Sequence, residues 1–217
     1  MLRDIYEALA LNTRAYDNVR QNFRRGMTEQ DVKQLIISQG TDVRWEGDFV
    51  GGVRSSCIEG DATDYTLCEG DALILDIQPI SGRVCCDTCR TFFLGEPTAL
   101  QKEAYQTVLN ALRAGEAVLK AGTGACRVYD TVRQALAPYG DHFPHHAGHR
   151  VGQLPVVDPR LIPEEEARLE AGMIVTLEPG LYFTDRFGIR LENNYLITEE
   201  GCVNLFPYTL DLKDFIL

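Results

Sequence analysis

The stretch Glu69-Gly-Asp-Ala-Leu-Ile-Leu-Asp76 joins an apolar run directly to an acidic residue. The apolar residues from Ala72 to Ile77 predict a buried strand, which is bounded on one side by a glycine turn. An ionised carboxylate beside such a strand costs several kcal/mol unless a cation pairs with it. Asp76 is therefore expected to have a cationic partner inside the fold.

Three more acids occupy comparable positions further along the chain. Asp87 interrupts the strand predicted from Arg83 to Leu94, beyond a turn at Gly82. Glu178 closes the apolar run Met173–Leu177, and Glu192 lies in a predicted strand over 189–197. The two strand pairs are offset by 102 to 105 residues, so each half of the chain contributes one acid per strand. This spacing predicts a duplicated structure.

The helical pattern supports the same duplication. Four helices are predicted from apolar spacing and capping residues: 2–25, a second after the cap residue Thr28, a third from the capping box Thr98/Gln101 to Gly115, and a fourth from Asp130 to about Ala137. Each half thus reads helix, helix, strand, strand. We expect an α+β fold and a single domain over 1–217, with halves of about 1–95 and 96–217.

Duplication would bring the two pairs of acids together in one pocket. Four carboxylates cannot share a dry site, whereas two divalent cations would balance their charge. The alternative is that these acids pair individually with Arg83, Arg90 and Arg190. All four histidines also lie within eight residues of one another, and such a cluster favours metal or proton chemistry: His142, His145, His146 and His149.

Five ordered motifs resemble the pita-bread metallopeptidases of the peptidase M24 group, over nearly the whole chain. They are Glu69–Asp76, Asp87-Thr-Cys-Arg-Thr91, Phe143-Pro-His-His-Ala-Gly-His149, Thr176-Leu-Glu-Pro-Gly-Leu-Tyr182 and Gly188-Ile-Arg-Leu-Glu192. The chain is most similar to the branch containing Xaa-Pro dipeptidase, aminopeptidase P and creatinase. The resemblance implies the catalytic domain alone, with duplicated halves around a curved antiparallel sheet.

The same resemblance implies a ligand set. Asp76 would bind one ion, His149 and Glu178 the other, and Asp87 and Glu192 would bridge them, with a water between. The two ions would be manganese, cobalt, iron or zinc. His145 matches a family histidine that contacts substrate or passes protons, and its alternative role is an outer hydrogen-bonding residue.

This chain departs from the family pattern at four positions. Val156 and Glu59 replace two family histidines, Arg150 replaces a glycine, and Gln78 replaces a small residue. Glu59 is the candidate to act as an acid or base in place of the histidine, and the alternative is that it does not act. The residues predicted to contact substrate are Gln78, Arg150, Val156 and Arg190.

Three functions fit these residues. The first is a dinuclear hydrolase that uses a metal-bridging water to cleave an amide or related C–N bond in a small peptide or amino-acid derivative. The second is a non-peptidase enzyme on the same fold, either a creatinase-like hydrolase or a lyase. The third is a binding module without catalysis, although such relatives lose their ligands and this chain keeps all five.

Composition narrows the partners and the compartment. A net charge of −11, from 32 acidic and 21 basic residues, would repel nucleic acid and anionic membranes. With no signal peptide or membrane span in the sequence, we expect a cytoplasmic protein.

The seven cysteines are expected to be reduced thiols. Three of them, Cys85, Cys86 and Cys89, surround Asp87 and are expected to be packed in a strand rather than to be metal ligands or disulfides. The first helix begins at Leu2, so a family N-terminal domain that forms part of the pocket wall is not expected, and a homodimer could supply that wall.

Overall fold

The computed structural model describes residues 2–81, 84–154 and 156–217. The predicted turn at Gly82 and the start of a strand at Arg83 therefore lie outside the described residues. The four helices of this part of the chain are α1 (Leu2–Asn22), α2 (Glu29–Ile37), α3 (Ala99–Val118) and α4 (Ala125–Ala135).

Twelve strands accompany these helices in the described ranges. Those of the first half are β1 (Arg44–Glu46), β2 (Phe49–Gly51), β3 (Ala72–Ser81), β4 (Val84–Cys85) and β5 (Thr88–Phe93). Those of the second half are β6 (His149–Arg150), β7 (Val157–Arg160), β8 (Ile174–Leu177), β9 (Gly180–Phe183), β10 (Phe187–Arg190), β11 (Asn193–Ile197) and β12 (Cys202–Asn204).

Each half is organised around an antiparallel sheet. In the first half the long strand β3 is central and pairs with β1, β2, β4 and β5. In the second half the strand order is β12-β11-β8-β6-β7, and β9 and β10 form a separate hairpin. An antiparallel bridge joins the halves where Cys89 of β5 faces Glu192, and the Glu192 N–H donates to the Cys89 carbonyl at 3.0 Å. One of the predicted acids therefore lies at the seam between the halves.

The acids interrupt the strands more than the sequence indicates. The strand predicted up to Leu94 is two strands, β4 and β5, and Asp87 lies in the gap between them. The strand predicted over 189–197 is likewise β10 and β11, with Glu192 in the gap. Only Asp76 lies inside a regular strand, because Glu178 directly follows β8. Outside a regular strand, these three side chains need not follow the alternating faces of a sheet.

Both predicted helix caps are confirmed. Thr28 and Asp31 form a reciprocal capping box at the start of α2, and Thr98 and Gln101 form one at the start of α3. Each box satisfies two backbone N–H groups that would otherwise lack an acceptor. Local sequence therefore fixes where these two helices begin.

The prediction that Gly115 ends the third helix is wrong. Helix α3 continues to Val118, and a Cβ at Gly115 would lie 2.9 Å from Val132 and 3.1 Å from Leu177. This glycine allows α3 to pack closely on α4 and β8. The fourth helix also begins earlier than the predicted Asp130, at Ala125, because its N-cap Gly124 has no side chain to signal it.

Helix pairs and strand pairs give different offsets between the halves. α3 and α4 follow α1 and α2 by 97 and 96 residues, whereas β8 follows β3 by 102. The added residues therefore lie between helix and sheet in the second half, where the histidine cluster is found.

Among the described residues, no helix is long and apolar enough to cross a bilayer. The single domain over 1–217 and its halves stay a prediction.

Candidate metal centre

All five residues predicted as metal ligands are buried, and they approach the same region from both halves. Their exposed fractions are 1% to 8%: Asp76, Asp87, His149, Glu178 and Glu192. Ligand atoms of Asp87, His149 and Glu192 all lie within 4.8 Å of one another, which is the only such cluster that the described part of the chain contains. Glu178 adjoins this cluster, and Asp76 contacts it through other side chains.

The backbone around His149 orients its ring. Gly148 precedes it with a φ of 153°, and a Cβ there would lie 2.1 Å from the Thr176 carbonyl, so only glycine permits this approach to β8. The His149 Nδ1 lies 3.0 Å from the Arg150 carbonyl, which requires a proton on Nδ1. In the neutral ring the lone pair is then on Nε2, as metal-binding histidines require.

The Nε2 atom of His149 faces two carboxylates. It lies 3.5 Å from Asp87 Oδ2 and 3.7 Å from Glu178 Oε1. Burial acts to lower the pKa of His149, but the contacts with Asp87 and Glu178 outweigh it and raise that pKa to about 9. Without a metal, the imidazole therefore takes up a proton to balance the carboxylates around it.

Three carboxylate oxygens in this cluster have no hydrogen-bond donor nearby: Asp87 Oδ1 and both oxygens of Glu192. A fourth, Glu178 Oε1, accepts no well-formed hydrogen bond, although His146 Nδ1 lies 3.2 Å from it. Burial raises the pKa of Glu192 well above its usual range, and the charges of Asp87 and Glu178 raise it further. Buried polar atoms are normally satisfied, and exceptions require an explanation. An oxygen-rich set with one imidazole suits a divalent cation such as Mn, Fe or Co, so these residues fit the metal that the resemblance implies.

Asp76 has different surroundings. Its Oδ2 accepts from the Arg190 guanidinium at 2.8 Å, and its Oδ1 lies 3.5 Å from Gln78 Nε2. The same Gln78 nitrogen donates to Asp87 Oδ2 at 2.9 Å. The alternative of individual arginine partners therefore holds for Asp76 alone among the four acids.

Arg90, the other candidate arginine that the structure describes, donates to backbone and amide oxygens rather than to the four acids. Arg90 is fully buried, and it donates to the carbonyls of Cys89 and Glu192 and to the Asn193 side chain. Its guanidinium also lies 5.0 Å from the centre of the Phe206 ring. Arg90 therefore fixes the backbone beneath the site, while Arg83 lies outside the described residues.

A hydrogen-bonded chain leads from Arg190 to His145. Arg190 Nη1 donates to the Tyr182 hydroxyl at 3.1 Å, and that hydroxyl lies 2.8 Å from His145 Nε2. His145 Nδ1 lies 2.7 Å from the His146 carbonyl and must donate to it. The Tyr182 hydroxyl consequently donates to Nε2, which fixes the His145 tautomer. Burial lowers the pKa of His145 to about 4, so its ring is neutral at pH 7.

Asp48, Tyr182 and His146 were not predicted as site residues. Asp48 binds Arg190 at 2.7 Å, and His146 Nδ1 lies 3.2 Å from Glu178 Oε1. Burial acts to raise the pKa of Glu178, but His146 and His149 outweigh it and lower that pKa to about 2. The sequence could have indicated two of them, because His146 lies in the histidine cluster and Tyr182 ends one of the five motifs. Nothing in the sequence around Asp48 indicates its contact with Arg190, which is 142 residues away.

The remaining predicted residues lie at the surface. Arg150, Val156 and Glu59 have exposed side chains, although the backbone carbonyl of Arg150 accepts from His149 Nδ1. Glu59 is nevertheless close in the chain to two groups of the site, because the Ile58 carbonyl accepts from Arg190 and the Gly60 N–H donates to Asp48. Substrate contacts by these residues, by Gln78 and by Arg190 stay predictions.

The thiols around Asp87 are not paired with one another. All seven cysteines are free, and Cys85, Cys86 and Cys89 are buried. Burial raises the pKa of Cys85 to about 12, so the thiolate needed for metal binding or exchange is disfavoured. These three thiols are packed side chains in this structure, and the reduced state of the seven cysteines stays a prediction.

Comparison with known proteins agrees with this geometry. The sequence pattern of metallopeptidase family M24 matches residues 3–199. The chain is 34% identical over 194 residues to the Xaa-Pro dipeptidase of Pyrococcus furiosus, covering 88% of this chain and 56% of that protein. It is 32% identical to an uncharacterised peptidase of Bacillus subtilis, covering 92% of this chain and 59% of that protein.

Solved structures include a similar fold. The X-Pro aminopeptidase of Thermotoga maritima superposes with a TM-score of 0.94 at 27% identity, over 99% of this chain and 62% of that one. The chain therefore spans about three fifths of the length of these relatives. It belongs to metallopeptidase family M24, and the predicted pita-bread fold is confirmed.

Proposed function

We propose that this chain is a metal-dependent hydrolase that cleaves the amide bond of small peptides of the Xaa-Pro type. Asp87, His149, Glu178 and Glu192 would hold a divalent ion, with manganese, cobalt and iron suited to this ligand set. The predicted second ion, between Asp76 and the two bridging acids, is a separate proposition because Asp76 has N–H partners of its own.

The three carboxylate oxygens without donors, Oδ1 of Asp87 and both of Glu192, carry the proposal. Leaving a buried acceptor unpaired costs about 1–3 kcal/mol, and more when the group is charged. A protein that only needed a stable core would place apolar residues there, since replacing buried charges by apolar groups is often neutral or stabilising. Retaining three acids and an imidazole in one pocket therefore supports cation binding.

A bound divalent ion would supply Lewis acidity and a water whose pKa is lowered toward about 7. The residues around it would orient the substrate. His145 is neutral, so it would not repel the ion, and its Nε2 can accept a hydrogen bond from a substrate N–H once Tyr182 releases it. Arg190 would hold Tyr182 and Asp76 in place rather than contact substrate, since its guanidinium already has carboxylate and carbonyl partners.

The substrate class is supported by relatives with dipeptidase and aminopeptidase names. Glu59 and Val156 stand where the resemblance expects histidines, and these two changes motivate the creatinase-like or lyase alternative. The binding-module alternative has weaker support, because buried carboxylates without hydrogen-bond donors would only destabilise a protein that binds no cation there.

The experiment is a hydrolysis assay on the purified chain, stripped of metal by a chelator and reloaded with Mn(II) or Co(II). The panel contains Xaa-Pro dipeptides, matched Xaa-Ala dipeptides and N-substituted amino acids. We expect metal-dependent release of proline, with His149→Ala reducing activity by about 10³-fold or more. The exposed Gln153→Ala variant serves as the matched control and should keep full activity.

Each alternative gives a different result in this assay. Cleavage of N-substituted amino acids but of no dipeptide would favour the creatinase-like or lyase reading. Failure to bind metal, with no turnover of any compound, would favour the binding module and overturn the proposal. The predicted homodimer is tested separately by light scattering, where the mass of one chain would contradict it.

A further inference from the structure

The side chain of Gln78 lies between the two carboxylates of the first half. Gln78 is two residues after Asp76 on β3, so both side chains point to the same face of the strand. Its amide nitrogen lies 2.9 Å from Asp87 Oδ2 and 3.5 Å from Asp76 Oδ1. An N–H donor thus occupies the space between the oxygens that a second ion would have to join.

Arg190 completes the enclosure of Asp76. Its Nη2 lies 2.8 Å from Asp76 Oδ2, so each oxygen of Asp76 faces a nitrogen that carries protons. Arg190 is itself held by Asp48, the Ile58 carbonyl and the Tyr182 hydroxyl. It is 3% exposed, so neither solvent nor a different rotamer offers its charge an easy alternative.

The other end of the site has fewer donors. Both oxygens of Glu192 and Oδ1 of Asp87 are buried without a hydrogen-bond partner, and Oε1 of Glu178 lies 3.2 Å from His146 Nδ1. A cation binds lone pairs that are free of protons, so it competes with N–H donors for a carboxylate oxygen. The two ends are therefore unequal, although the acids on both are buried.

We propose that Gln78 excludes a second divalent ion from the Asp76 end, so that this centre holds one ion, bound by Asp87, His149, Glu178 and Glu192. The inference rests on the proposed function, because it assumes that the unpaired oxygens bind a metal. It differs from the two-ion centre that the resemblance predicts. The guanidinium of Arg190 balances the charge of Asp76 in place of the second ion.

The test is a count of bound Mn(II) in the whole chain after chelator treatment, by equilibrium dialysis with elemental analysis. Wild-type protein should bind about one equivalent, and Gln78→Gly, which removes the amide, about two. Gln153→Ala removes an exposed glutamine in the loop after His149 and should keep the wild-type count. Gln78→Ala repeats the test if the glycine variant does not fold.

Electron paramagnetic resonance gives a second measure that does not depend on activity. A single Mn(II) keeps its resolved hyperfine pattern, whereas two ions that share a carboxylate couple to each other and broaden it. Wild-type protein should give the first spectrum and Gln78→Gly the second. Two equivalents of equal affinity in wild-type protein, or one equivalent in both Gln78 variants, would overturn the inference while leaving the proposed function intact. Binding of no metal by any of these proteins would instead overturn the proposed function.

Discussion

Asp76 and Glu192 are buried acids of the same candidate metal centre, and they differ in what surrounds them. Both oxygens of Asp76 face N–H groups of Arg190 and Gln78, whereas neither oxygen of Glu192 has a donor. Burial raises the pKa of both acids above the usual range, with Asp87 adding to the shift in each case. Burial alone therefore does not identify a metal ligand; the lack of protein donors does.

The largest effect on metal binding and hydrolysis is expected at Glu192. Glu192→Gln should weaken Mn(II) binding by about 100-fold or more and reduce hydrolysis by about 10³-fold, because a neutral amide is a poor ligand. Isothermal titration calorimetry and a dipeptide assay measure the two effects. Glu200→Gln, an exposed acid of the same type, should change neither. Wild-type affinity in Glu192→Gln would mean that this acid is not a ligand.

A second prediction concerns pH. His149, whose pKa is about 9 in the metal-free protein, must lose its proton before Nε2 can coordinate an ion. Metal affinity should therefore rise with pH, by up to about tenfold per unit below about pH 9, and then level off. The raised pKa of Glu192 acts in the same direction.

Calorimetry in buffers of different ionisation enthalpy measures this coupling, because it counts the protons released per ion bound. At pH 7 we expect a net release. An affinity that does not change between pH 6 and 9, without proton release, would contradict the assigned charge of His149.

The third prediction separates the two ends by stability. In the metal-free protein, Asp76→Asn should lower the free energy of unfolding by about 3–5 kcal/mol, because it breaks a buried ion pair with Arg190. Glu192→Gln should not lower it, since no donor is lost there. Denaturant unfolding in the presence of a chelator gives both values. Equal losses of unfolding free energy in the two variants would mean that Asp76 and Glu192 do not differ in their protein partners.

The smallest effect is expected at Tyr182. Tyr182→Phe removes the hydroxyl that fixes His145 Nε2 and should cost about 1 kcal/mol of stability. The Nδ1–H still donates to the His146 carbonyl, so the ring should keep its tautomer while Nε2 loses its donor, and the Nε2 chemical shift should move. An Nε2 shift identical to that of wild-type protein would show that Tyr182 does not donate to His145.

Local features of the fold could be predicted from the sequence because their causes are local. The capping boxes at Thr28 and Thr98 depend on residues three positions apart. Gly115 was misread because its reason is a close approach to Val132 and Leu177, which are distant in sequence. Glycine ends a helix in one context and permits close packing in another.

For the site, the acids and the histidine cluster could be predicted, but their partners could not. Which acid would pair with Arg190 depends on contacts across 114 and 142 residues, to Asp76 and Asp48. The gaps in the strands at Asp87 and Glu192 likewise follow from the bridge between the halves. Such contacts are set by tertiary structure, so a pattern along the chain carries no trace of them.

The most direct test of the central claim, that the unpaired oxygens around His149 require a divalent cation, is thermal unfolding of chelator-treated protein titrated with Mn(II). The account predicts that stability rises steadily with metal concentration, by about 2.7 kcal/mol at 100 times the dissociation constant. It also predicts that Glu192→Gln abolishes most of this rise. Identical unfolding curves in chelator and in excess Mn(II) would contradict it.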